Sequence, residues 1–101
     1  MSALEMEAGV ARQFAARSVT FAAGARGPEI RDVLVTIYGA VDGNPLRADF
    51  HGPKGVSDGS YIVLIFDLRT KNEVGNSSSS ISFDRALDRM DWRNVIGALT
   101  H

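Results

Sequence analysis

Cysteine is absent from the 101 residues, which removes a disulfide framework, a thiolate nucleophile and every Cys-based zinc or iron–sulfur site. The core has to hold without covalent staples. Long apolar runs are missing too. Nothing approaches the roughly 18–20 residues that span a bilayer, and the N-terminal MSALEMEAGVARQF is acidic early, where a signal peptide would be basic and then apolar. A soluble, cytoplasmic protein with no membrane partner is expected. Charge of one sign is not in excess, since 11 basic residues meet 12 acidic ones for a formal net charge of −1. No polybasic stripe exists to neutralise a phosphate backbone, so no nucleic-acid partner is expected. Nine of the eleven basic residues are arginine and alanine is abundant, a usage that suggests a GC-rich bacterial genome.

What is present is apolar material, at 45% of residues, in a chain of the size that fills one core. Such a chain buries roughly 60–70% of the surface its unfolded form exposes, so residues 1–101 are read as one domain. Residues 3–17 (ALEMEAGVARQFAAR) are rich in helix formers, with Leu4, Ala8, Ala11 and Ala15 near helical spacing and Met6, Val10 and Phe14 widening the stripe. A first helix is expected there, although Gly9 costs about 1 kcal/mol relative to alanine. The alternative is a fraying N-terminus followed by a strand from about Val10. Ser18–Ala23 alternates as a strand and stops at GARGP, a loop.

Asp32–Val41 and Ser60–Leu68 are dense in β-branched and aromatic residues and apolar on both faces, which predicts inner strands covered on both sides. Between them, Asp42-Gly43-Asn44-Pro45 supplies turn chemistry, so Leu46–His51 is expected to return as an antiparallel partner. Its Leu46, Ala48 and Phe50 point to the core, and Arg47, Asp49 and His51 to a wet face. Residues 51–60 (HGPKGVSDGS) form a long connection, and a turn at Arg69–Asn72 leads to a short edge strand at Glu73–Gly75. Asn76–Ser80 reads as a polar break.

In the C-terminal stretch, Phe83, Ala86, Leu87 and Met90 fall on one side of a helix projection, and Trp92, Val95, Ile96 and Leu99 on the opposite side. One straight helix cannot bury both stripes on one surface. A helix over 82–90 capped by Ser82, a break near Asp91, and a second helix over 92–99 are therefore expected. The rival is one helix buried all round. The elements add up to an α+β domain: an antiparallel β-meander of four to five strands, with an N-terminal helix and a broken C-terminal helix packed on it.

Candidate chemistry is sparse. His51 is the only internal histidine, and Asp49 two residues before it shares its strand face, where a carboxylate could orient an imidazole as general base. Any Asp-x-His on a half-exposed strand gives that geometry, so surface residues at a strand end are the plainer reading. Gly52–Gly59 lacks the Gly-Lys-Ser/Thr of a phosphate loop and leads into a strand, which makes it a connector whose Lys54 and Asp58 could still touch a ligand near His51. Asp67, on an otherwise apolar strand, is either a buried functional acid or the partner of an arginine such as Arg69; Tyr38 could serve as a second acid–base group. Asp84, Asp88 and Asp91 are interleaved with Arg85, Arg89 and Arg93 as a salt-bridged solvent face, and no metal or cofactor is expected. Ser77–Ser80 has no base nearby in sequence. Trp92 is either core or the anchor of a partner protein.

Two functional classes follow. A non-catalytic protein-interaction module of accessory, inhibitor or immunity type is favoured, because no catalytic set converges while apolar material is plentiful. The alternative is a small enzyme or ligand-binding protein with a pocket near Asp49 and His51. Covering both faces of two doubly apolar strands takes more helix than the chain holds. The helices therefore either divide between the faces or share one and leave the second for another subunit, and the homodimer is the favoured option.

Overall fold

The computed structural model describes all 101 residues, in the order α1 (Ala3–Ala15), β1 (Phe21–Ala23), β2 (Glu29–Arg31), β3 (Leu34–Val41), β4 (Asn44–His51), β5 (Tyr61–Asp67), β6 (Asn72–Ser79), α2 (Phe83–Arg89) and α3 (Trp92–Leu99). The fold is α+β, with an antiparallel six-stranded sheet carrying all three helices. A two-residue turn sets its register. Asp42 and Gly43 hold φ of +52° and +76°, the paired left-handed geometry whose twist matches that of antiparallel strands. Val41 thus faces Asn44, and the ladder runs out to Leu34 opposite His51. β5 then pairs with β4, and β6 with β5.

Six strands stand where four to five were expected, because one edge strand is broken in two. β1 and β2 both pair with β3, Phe21 opposite Val41 and Glu29 opposite Thr36, and the GARGP segment leaves the sheet between them. β1 begins at Phe21, three residues later than alternation suggested. Ser18 adopts a left-handed φ of +62° and ends the α1 turn instead of starting a strand. β6 is the larger departure, since the polar break predicted at Asn76–Ser80 is strand through Ser79. Its small residues are a packing requirement. A Cβ on Gly75 would stand 2.6 Å from Val95 Cγ2 and 2.9 Å from Met90 Sδ, and Ser77 and Ser79 are buried on the same side. Bulkier side chains there would push the C-terminal helices off the sheet.

The helices form where their caps direct. Ser2 and Glu5 make a reciprocal capping box, Ser82 Oγ accepts from the Arg85 amide, and Asp91 Oδ1 accepts from the Asn94 amide. The break at Asp91 turns α3 relative to α2, so Phe83, Ala86 and Leu87 and then Trp92, Val95 and Leu99 all reach one core. In α1 the buried stripe is Met6, Gly9, Val10 and Phe14, whereas Leu4 is 69% exposed.

Every sheet residue of the core cluster, from Ile37 and Val41 through Leu46, Ala48 and Phe50 to Val63 and Ile65, lies on one face, and the buried residues of all three helices join that cluster. Coverage of β3 and β5 on both sides is therefore corrected. The helices share one face and leave the other without a layer. No helix is long and apolar enough to cross a membrane.

Candidate functional site

The uncovered face of the sheet is built from rows of cross-strand neighbours. One row runs Leu34–His51–Ile62–Ser78, the next Thr36–Asp49–Leu64–Asn76, and the third Tyr38–Arg47–Phe66–Glu73. At its centre Asp49 is only 7% exposed although no helix lies above it. Its Oδ1 accepts from Thr36 Oγ1 at 2.9 Å, and its Oδ2 lies 3.4 Å from Arg47 Nε. The Arg47 guanidinium also sits 4.3 Å from the centre of the Phe66 ring, so its charge is held by a carboxylate on one side and an aromatic face on the other. Leu34, Ile62, Leu64 and Phe66 surround this group half-buried, and exposed Glu73, Asn76 and Ser78 line the β6 edge. Beside them a shallow depression of about 450 Å³ lies over β1, β3 and β4, floored by Ala22, Ala40 and Pro45 and bordered by Tyr38, Arg26 and Leu68.

The residues singled out in the sequence do not converge. His51 and Asp49 share the open face, but both Asp49 oxygens are engaged by Thr36 and Arg47, and no hydrogen bond joins the carboxylate to His51. Tyr38 is on the same face two rows away from His51, about 13 Å along the strands. Lys54 and Asp58 are exposed in the connection at the His51 end. There Asp58 turns back on its own loop, accepting from the Ser60 amide at 3.0 Å, and the Ser60 hydrogen bonds hold its carboxyl below the ordinary range.

Asp67 is on the opposite, helix-bearing face, 2% exposed, in register with Leu46. Arg69 grips it, with Nη2 at 2.8 Å from Oδ2 and Nε at 3.2 Å from Oδ1, and this contact lowers the Asp67 pKa against the opposing effect of burial. The carboxylate stays ionised at neutral pH and holds no proton to give. Arg69 also donates to the Ala98, Leu99 and His101 carbonyls, and Asn44 Nδ2 donates to Leu99 at 2.6 Å. The pair is thus a clamp on the C-terminus of α3, where the helix dipole favours a cation.

Trp92 is 1% exposed, edge-on to Phe14 at 5.2 Å between ring centres. Its Nε1 donates to the Leu87 carbonyl at 2.7 Å, which also accepts from the Met90 amide where α2 ends. Of its two readings, core residue and partner anchor, the buried ring takes the first, because it has no face left to offer a partner. No three His, Asp or Glu side chains converge as metal ligands.

Thr36, Arg47, Arg26 and Glu73 shape the open face, and no sequence motif marked them. The signal for the first two was the Asp-Gly turn, since a two-residue loop at 42–43 places 36 opposite 49 and 38 opposite 47. Compared with family models, with curated proteins and with solved structures, the chain finds no match.

Proposed function

We propose that the chain is a non-catalytic protein-interaction module whose working surface is the open face of the sheet. The observation that supports this is the packing of α1, α2 and α3 on one side, which leaves Leu34, Ile62, Leu64 and Phe66 of the central strands with no layer above them. Binding surfaces are enriched in arginine and aromatic residues and carry a polar rim, and this face sets Arg47 and Phe66 among Leu34, Ile62 and Leu64, with exposed Glu73, Asn76 and Ser78 along one edge. The Arg47–Asp49–Thr36 group supplies polarity that is already satisfied within the chain, so a partner can cover it without stranding a charge.

The test is affinity capture with tagged wild-type chain and tagged Leu64→Arg as parallel baits. Partners, untagged copies of the chain included, are expected on the wild type and lost from the variant. Identical catches from the two baits would contradict the proposal. Catalysis by Asp49 and His51 gains no support from the geometry, because the carboxylate is committed elsewhere.

A further inference from the structure

We infer that the occupant of the open face is a second copy of this chain, packed face to face about a two-fold axis that runs parallel to the strands between β4 and β5. This rests on the proposed function of that face and names its partner.

Size is the first argument. The four strand positions that overlap, β3 to β6, each about 4.8 Å wide, and about seven residues of strand span about 19 by 24 Å. That projects on the order of 450 Å² per copy, about 900 Å² in all before side-chain relief is added, close to the ~1,000 Å² in total at which a specific interface begins.

Charge selects the orientation. The ion pairs of the chain are Arg31–Glu29, Arg47–Asp49 and Arg69–Asp67. At the two side edges of the open face stand Arg26 and Glu73, neither of them in an ion pair. Arg26 borders the depression beside Tyr38 on the β1 side, and Glu73, opposite Phe66, stands on the β6 side. Both stand near the level of the Tyr38–Arg47–Phe66 row. A two-fold axis along the strands keeps that level while exchanging the edges; with the axis between β4 and β5 the partner subunit's Glu73 comes over Tyr38, and Arg26 stands one strand spacing, about 5 Å, to its side, twice per dimer. An in-plane axis across the strands would instead set Arg26 against the Arg31 end and Glu73 against Ser78.

Packing places the axis between β4 and β5. An axis on β4 would oppose Arg47 with its own copy and Asp49 with its own copy. The half-strand shift puts the Leu64 and Phe66 column of each copy over the Arg47–Asp49 pair of the other. There it closes the pair from water and gives Arg47 a second aromatic face. Two twisted sheets stacked in this way follow the aligned packing of sandwich proteins.

The experiment is light scattering after size exclusion, at a few micromolar and at a tenfold higher concentration, on wild type, Leu64→Arg, Arg26→Glu, Glu73→Arg and the double charge exchange. The wild type is expected to have the dimer mass and Leu64→Arg the monomer mass. Each single charge reversal is expected to weaken the dimer about tenfold, and the double exchange to restore it. Because neither Arg26 nor Glu73 belongs to the core, rescue by the double exchange reads the contact and not the fold. A wild-type monomer at both concentrations would overturn the inference and leave the proposed function to the capture experiment. A dimer that survives Leu64→Arg, or one that the double exchange fails to restore, would also overturn it.

Discussion

At the scale of single residues, polar side chains in this chain are held by partners that also fix backbone ends. Asp67 accepts from the Arg69 backbone amide and side chain, and Arg69 in turn holds the end of α3. Asp67→Asn is expected to lower stability by about 1–3 kcal/mol, read by urea unfolding, because a charge-assisted contact at a buried site is lost. The pH dependence follows from the lowered pKa of Asp67. A carboxyl with a folded-state pKa below its unfolded value contributes stability that is complete above the unfolded value of about 3.9 and is lost as pH falls through the folded one. The gap between wild type and Asp67→Asn should therefore be flat from neutral pH down to about 5 and narrow only in stronger acid. A gap that instead widens on acidification would show that the contact does not depend on the ionised carboxylate. Gly39 is a second test. The Phe21 ring lies across it, a Cβ there would collide with that ring, and the Ala22 carbonyl would be only 2.7 Å away. Gly39→Ala is expected to cost about 1–3 kcal/mol by overpacking, with a lowered midpoint in thermal unfolding.

At the scale of elements, the two short C-terminal helices depend on the break between them. Asp91 caps α3 through the Asn94 amide, and Asp91→Ala is expected to cost about 1 kcal/mol in denaturant unfolding. No change in the midpoint would mean that Trp92 and the Arg69 clamp alone set the start and end of α3. This part of the chain was legible from the sequence because its two apolar stripes point opposite ways and an aspartate stands where they change. The central hairpin was legible through Asp42-Gly43. β6 was not, for a physical reason: periodicity detects apolar faces, and Gly75, Ser77 and Ser79 face the helices as the small residues that let α2 and α3 come close. The split of the first edge strand was hidden by its glycines and proline, which mark a loop without showing that the chain resumes pairing at Glu29. For the candidate site, the sequence put Asp49 and His51 on one face correctly, but it could not show that Arg47 and Thr36 occupy the carboxylate.

At the scale of the molecule, one asymmetry organises the rest. Seventeen buried apolar residues form a core between the sheet and three helices, and the reverse side of the same sheet carries half-buried Leu34, Ile62, Leu64 and Phe66 around a satisfied ion pair. Of the two ways in which the helices could have been placed, the chain uses the one that leaves one face of the sheet without a helical layer. Carbene footprinting with mass spectrometry reads that face most directly. The chain is labelled in dilute solution, at tenfold higher concentration, and in the presence of extract. Labelling of Ile62, Leu64 and Phe66 is expected to fall when the chain is concentrated or given a partner, while the outer surfaces of α1 and α3 stay as accessible as before. Unchanged labelling of the open face in every condition, or protection confined to the helices, would contradict the claim that this face is where the protein works.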